Sequence, residues 1–313
     1  MSLSLLSRFW RFVLRKTFKE KRLTIEQNRA RDAKTARLMR YVPKDVEVER
    51  TDMDGLRVAW IRPTGADKEK VFLFLHGGGY VTGSINSHLM LCIPVAQTLK
   101  MNVLAPEYRL APEHPFPAAL EDALKAYRWL LTQGYKPADI IIARDSAGGG
   151  LVLATVLALR ENHEPLPAAI ICMSPWADLT HHGQSHITKA DAEAMLKTDV
   201  LKEWALCYTD ETNLKNPLVS PVYADFHGFP PLLIQVGSEE ILLDDARMLA
   251  DKTKADGVDV TLKIWDGMWH VWQVLGDLVP ESRMAFDEMG GFVRDVEQGV
   301  LMEKEFGKNM EDN

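Results

Sequence analysis

The chain is poor in cysteine. Its three, Cys92, Cys172 and Cys207, cannot close a disulfide framework and lie in apolar contexts, where buried free thiols are expected. A reducing, cytoplasmic location follows as the expectation. Long hydrophobic runs are missing as well: no stretch approaches the roughly 20 apolar residues of a membrane span. The opening MSLSLLSRFWRFVLRK is broken at Arg8 and Arg11, so no signal-peptide core is expected there. There is no internal repeat period. Nor is there an excess of basic charge: 37 Lys and Arg stand against 44 Asp and Glu, a net charge of −7. Such a chain is a poor nucleic-acid binder unless its charge is segregated.

The charge is segregated. Residues 1–50 carry 14 basic and 6 acidic side chains, a balance of +8, which leaves −15 for the remainder. The first 40 residues read as helix, with Leu5, Phe9, Phe12 and Val13 on one face and Arg8, Arg11, Arg15 and Lys19 along another. A second basic helical stretch is expected over Ala30–Tyr41, stopping before Pro43. The apolar face is expected to pack on the body. Peripheral membrane contact through the basic helix is the alternative, and a homodimer is also open.

From residue 46 the hydrophobic period changes. Val46–Arg50 and Leu56–Pro63 alternate around Asp54-Gly55 and predict an antiparallel hairpin. Short apolar runs follow at Val71–Leu75, Asn102–Ala105, Ile140–Ala143, Ala169–Met173, Leu232–Val236 and Val260–Ile264. Helical patterns separate them at Ser87–Leu99, Pro117–Thr132, Ser146–Glu161, Asp245–Ala255 and Glu281–Gln298. Apolar strands alternating with helices predict an α/β fold with a mostly parallel, eight-stranded sheet and helices on both faces. Between Met173 and Leu232 the alternation lapses, apart from a helical stretch near Asp199–Tyr208. An insertion of that length is expected to cover a site. The division is therefore residues 1–45 as N-terminal cap helices, 46–178 and 219–313 as core, and 179–218 as cap insertion.

Two motifs carry chemistry. Ile140-Ile-Ile-Ala-Arg-Asp-Ser-Ala-Gly-Gly-Gly150 reads as strand, abrupt turn and helix. Ser146 on that turn would stand above the sheet edge at a helix N-terminus, as a nucleophile does. His76-Gly-Gly-Gly79 follows another strand and exposes backbone N–H groups suited to a developing oxyanion. Arg144 occupies the position where a Gly-x-Ser-x-Gly turn begins. Its guanidinium is expected to point outward or toward an acid, straining the turn, so that Arg144→Gly would raise turnover.

These motifs, with Tyr108-Arg-Leu-Ala-Pro-Glu-His-Pro-Phe-Pro-Ala-Ala119, Ser174-Pro-Trp176 and Asp266-Gly-Met-Trp-His270, resemble the hormone-sensitive-lipase-like family of α/β-hydrolase carboxylesterases over residues 46–295. The resemblance implies an α/β-hydrolase fold with a helical cap. It implies a catalytic triad of Ser146, an acid and His270, and an oxyanion hole of Gly78, Gly79 and Ala147. Aligning Leu242 and Asp244 with the family's Asp-x-Leu-x-Asp stretch makes Glu240 the acid, with Asp244 and Glu239 as alternatives. His76 would hold its loop rather than act as a base. No cofactor or metal is implied, and His181, His182 and His186 read as a polar cap loop. Tyr80, Trp204, Tyr208, Trp269 and Trp272 are candidates to line an acyl pocket. The implied activity is hydrolysis of small, short-to-medium acyl esters through an acyl-enzyme. A lactone or amide hydrolase with the same triad, or a silent small-molecule receptor, are the rivals.

Overall fold

The computed structural model describes residues 3–19, 22–38 and 41–311. Two helices come first, α1 (Leu5–Lys19) and α2 (Ile25–Leu38). The second begins earlier than expected because Thr24 and Gln27 cap it reciprocally. Thr24 Oγ1 accepts from the Gln27 amide at 3.3 Å, and Gln27 Oε1 from the Thr24 amide at 3.1 Å. The described part of α2 runs to Leu38, Tyr41 is not helical, and residues 39 and 40 of the expected stretch lie outside the described residues. The core follows as β1 (Val46–Met53), β2 (Leu56–Pro63), β3 (Asp67–Leu75), α3 (Ile85–Leu99), β4 (Met101–Pro106), α4 (Ala118–Thr132), β5 (Ile140–Asp145), α5 (Ala147–Glu161) and β6 (Ala169–Met173). Beyond β6 lie α6 (Ser185–Thr188), α7 (Thr198–Tyr208), β7 (Leu232–Gly237), α8 (Leu243–Ala255), β8 (Val260–Trp265) and α9 (Pro280–Glu311).

The eight strands form one sheet in the order β1-β2-β4-β3-β5-β6-β7-β8. The β1–β2 hairpin turns at Asp54 and Gly55, both at positive φ, with Met53 opposite Leu56. Strand β2 is antiparallel to β4 as well, and from β4 onward every pairing is parallel. Period-two alternation divides the core. Val71, Leu73 and Leu75 face one cluster built with α4, α5 and α8, while Phe72 and Phe74 face another built with α3 and α9. Both faces of β3 are therefore apolar, which is why its sequence shows an unbroken hydrophobic run. Parallel strands end at one common edge, so the segments after β3, β5, β7 and β8 converge there.

The N-terminal helix lies the other way round from the expectation. Trp10 and Leu14 pack inward against a small cluster containing Met268, Trp269 and Trp272. Leu5, Phe9 and Phe12 are instead 82%, 56% and 60% exposed. The inward face is chosen by the shape of the partner surface, which a helical period does not contain. No helix among the described residues is long and apolar enough to cross a membrane.

Candidate active site

Ser146 sits between β5 and α5 with φ 55° and ψ −131°. That left-handed conformation is costly for a residue with a side chain and is held by its surroundings. The Ser146 amide donates to Met173 O at 2.9 Å, and its carbonyl accepts from the amides of Gly149 and Trp176 at 2.7 and 2.9 Å. The glycines that follow meet close neighbours: a β-carbon at Gly149 would fall 2.6 Å from Pro175, and one at Gly150 2.7 Å from Trp176 O. The sharp turn thus needs small residues on its far side.

His270 follows β8, and its Nε2 lies 3.0 Å from Ser146 Oγ. Its Nδ1 lies 2.9 Å from Glu240 Oε2, just beyond β7. Glu240 is fully buried, and its other oxygen accepts from Ser174 Oγ at 2.7 Å and from the Gly237 amide at 2.6 Å. Ser174 Oγ in turn accepts from the Val271 amide at 3.1 Å, so one hydroxyl joins the acid's loop to the histidine's. The Ser-Pro-Trp stretch was visible in the sequence, but no role for its serine was. Burial works against a positive His270. The hydrogen bond and charge of Glu240, with the charges of Glu193 and Asp145, outweigh it and raise the pKa above the usual 6.5.

The alternative acids are engaged elsewhere. Asp244 accepts from the Ser185 amide at 2.8 Å and pairs with Arg247 at 3.1 Å. Glu239 pairs with Arg11 at 3.2 Å and with Lys189 at 3.6 Å. A further buried acid, Glu193, accepts from the Met195 amide at 2.8 Å and the Ile241 amide at 3.2 Å, tying the segment before α7 to the Glu240 loop. Nothing in its polar sequence context announces that role.

The His-Gly-Gly-Gly loop leaves β3 beside this line. Gly78 and Gly79 have φ 120° and 62°, and a β-carbon at Gly79 would overlap the Trp204 ring. None of the hydrogen bonds among the described residues uses the amides of Gly78, Gly79 or Ala147. The Gly77 amide donates to Asp145 Oδ1 at 3.1 Å, and Asp145 also faces His88 Nε2 at 3.4 Å. His76 stacks on Tyr108 with ring centroids 4.2 Å apart, and burial, with His88 nearby, pushes its pKa down to about 3. It is a neutral, structural ring.

Arg144 corrects the expectation. It is fully buried and points neither to solvent nor to Glu240. Its Nε donates to Leu75 O, its Nη2 donates to His76 O at 3.1 Å, and its guanidinium lies 5.2 Å from the centre of the Tyr108 ring. Tyr108 donates to the same His76 carbonyl at 2.7 Å. Burial lowers the pKa of Arg144 below the usual guanidinium value, outweighing the two carbonyl dipoles, the ring face and the nearby Asp145 charge that favour the cation. Arg144 underpins the glycine loop from within the sheet rather than straining the serine turn.

Above Ser146 opens a largely apolar cavity of about 420 Å³. Trp10, Leu14 and Phe18 of α1 wall it on one side, and Leu201 and Trp204 of α7 on another. Of the five aromatic residues expected to line it, only Trp204 does. Tyr80 and Tyr208 stack on each other at 3.7 Å inside the core, while Trp269 and Trp272 are buried beneath α1. Among the clustered histidines, His181 packs edge-on against His186 and His182 turns to Thr180, each engaged with protein groups.

Residues 72–274 match the family described as having the alpha/beta hydrolase fold. An acetyl-hydrolase of Streptomyces hygroscopicus is 47% identical over 235 residues, 75% of this chain and 78% of that protein. An esterase of Acinetobacter venetianus is 36% identical, over 82% of this chain and 85% of its own length. Among solved structures, an esterase of the bacterial hormone-sensitive lipase family superimposes with a TM-score of 0.90 at 42% identity, covering 94% of this chain and 99% of that one. A hormone-sensitive lipase from a metagenome library gives a TM-score of 0.88 at 38% identity, covering 94% and 100%.

Proposed function

Because the chain belongs to the hormone-sensitive-lipase-like family of α/β-hydrolase carboxylesterases, we propose that Ser146, His270 and Glu240 carry out its ester hydrolysis. The observation that supports this most is the hydrogen-bonded line Ser146–His270–Glu240, with spacings of 3.0 and 2.9 Å. Ser146 Oγ attacks the ester carbonyl and passes its proton to His270 Nε2. Glu240 holds the ring through Nδ1 and balances the imidazolium that forms. The amides of Gly78, Gly79 and Ala147 donate to the oxyanion. His270 then protonates the departing alcohol, and water, deprotonated by the same ring, cleaves the acyl-enzyme.

Residues 1–45 and 179–218 act as one cap over this line, since α1 and α7 both wall the cavity. Its apolar lining and modest volume suit a short-to-medium acyl chain. The three free thiols suit a reducing compartment. Arg144 is turned away from Ser146, so its departure from the family pattern lends nothing to a silent receptor. The test is a p-nitrophenyl ester series from acetate to decanoate, followed by a serine-directed phosphonate. Label on Ser146, and loss of about three orders of magnitude or more in turnover for folded Ser146→Ala and His270→Ala, is the expected result. Near-normal turnover in either folded variant would sink the mechanism.

A further inference from the structure

The two faces of α1 do different work. Its inner face carries Trp10, Leu14 and Phe18 to the cavity wall. Polar contacts clamp it to the body: Ser7 Oγ donates to Glu281 at 2.6 Å, and Arg11 donates to Glu239 at 3.2 Å and to Ala192 O at 3.1 Å. Among the described residues the outer face has no such partner. Leu5, Phe9 and Phe12 recur at helical spacing and form one stripe, 82%, 56% and 60% exposed, with Leu6 beside them at 51%. Aromatic rings left in water at consecutive turns carry a free-energy cost that the protein's own fold does not relieve.

Charge decides what covers this stripe. The helix holds Arg8, Arg11, Arg15, Lys16 and Lys19 and no acidic residue. Lys16 continues the stripe one turn beyond Phe12, its ammonium 5.5 Å from that ring, while Arg8 and Arg15 flank it on one side. Among the described residues neither Arg8 nor Arg15 meets a carboxylate. Long cationic stems bordering an apolar face can bury their methylenes and keep their charge at a polar boundary. A symmetric pairing of this stripe with a second copy would instead bring Arg8, Arg15 and Lys16 against like charges.

We propose that the outer face of α1 is a docking surface for an anionic lipid layer, with Leu5, Phe9 and Phe12 entering the headgroup boundary and Arg8, Arg15 and Lys16 meeting lipid phosphates. The helix would lie in the plane of the interface, as short amphipathic helices with a basic border do. Since its inner face walls the cavity above Ser146, the cap would rest on the lipid with the ester site directly behind one helix. This last consequence rests on the esterase reading; the docking itself does not.

The experiment is co-sedimentation of the full chain with vesicles of phosphatidylglycerol and phosphatidylcholine in equal parts, and with phosphatidylcholine alone, at low and high salt. The protein is expected to pellet with the anionic vesicles at low salt, to be released by salt, and to stay largely in solution with the neutral ones. Phe9→Ser/Phe12→Ser and Arg8→Gln/Arg15→Gln should each lower partitioning by about tenfold or more. Their circular dichroism, and their turnover of a soluble p-nitrophenyl ester without vesicles, should match the parent. Because binding is read without turnover, failure of the catalytic assignment would leave this result standing. Three outcomes overturn the proposal: no pelleting of the parent with anionic vesicles, equal pelleting with neutral vesicles, or undiminished binding by the Phe9/Phe12 variant. Sedimentation-velocity dimers abolished by that same variant would assign the stripe to a second copy and overturn it too.

Discussion

Arg144 carries the largest difference between the residue as read and the residue as placed. In the sequence it is a long cation where a tight turn wants glycine. In the fold its side chain leaves the turn, crosses under the glycine loop and donates to Leu75 O and His76 O. The expected consequence of removing it therefore reverses. Arg144→Gly should lower stability by about 2–4 kcal/mol, through a cavity and the loss of the guanidinium's bonds to Leu75 O and His76 O, of which His76 O keeps Tyr108 as a donor. It should also reduce ester turnover about tenfold rather than raise it. Arg144→Met separates the two effects, because it fills the space without donating: stability should largely return while turnover stays low. Thermal melts beside steady-state kinetics decide this, and increased turnover in a folded Arg144→Gly would refute the supporting role.

The triad acid is tested at the same scale. A base must be neutral, so the raised pKa of His270 places the acid limb of kcat/KM above the ordinary histidine value of 6.5. Glu240→Gln removes the largest upward influence. The limb should then move to lower pH while the maximum falls by about a thousandfold or more. Asp244→Asn removes only contacts with Ser185 and Arg247, and should cost less than about tenfold. A benign Glu240→Gln beside a damaging Asp244→Asn would reassign the acid.

At the scale of elements, α1 shows why a hydrophobic period underdetermines a helix's orientation. Both Leu5–Phe9–Phe12 and Trp10–Leu14 are spaced for a helical face, and the period cannot rank them. The ranking comes from the receiving surface: Met268, Trp269 and Trp272 make a platform that takes Trp10 and Leu14. Trp10 then becomes part of the cavity wall. Trp10→Ala should enlarge the cavity and shift the kcat/KM optimum across the p-nitrophenyl ester series toward longer acyl chains, by several-fold in the ratio of octanoate to acetate. An unchanged chain-length profile would show that α1 does not limit the acyl group. The glycine loop shows the opposite case. Three consecutive glycines after an apolar strand were readable as exposed amides, because only the lack of side chains lets Gly78 and Gly79 take their positive φ against Thr82 and Trp204.

For the whole molecule, burial sets thiol chemistry. Cys92 and Cys172 are buried and Cys207 is partly exposed. Burial pushes Cys172 up to about 12 and Cys92 well above its usual value, which starves both of thiolate. In the folded protein a thiol reagent should modify Cys207 alone, with the other two reacting only on global unfolding. Peptide mapping of the labelled protein checks this, and rapid labelling of Cys172 under native conditions would contradict the packing described.

What the sequence determined by itself was the local and the repetitive. Alternating apolar runs and helical periods announced the parallel sheet, Asp54-Gly55 the hairpin, and the strand–Ser146–glycine succession the elbow, because each depends on residues within one element. The sequence also named Ser146 and His270 through motifs, and ranked Glu240 before Asp244 and Glu239 without deciding among them. Tertiary structure alone decided the rest. It chose Glu240 over Asp244 and Glu239 as His270's neighbour, brought Ser174 and Glu193 behind them, turned Arg144 inward and faced Phe9 and Phe12 outward. Each of those outcomes depends on side chains far apart in the chain, 30 residues for Glu240 and His270 and 124 for Ser146 and His270. Such contacts exist only once strands β5, β7 and β8 end at one common edge.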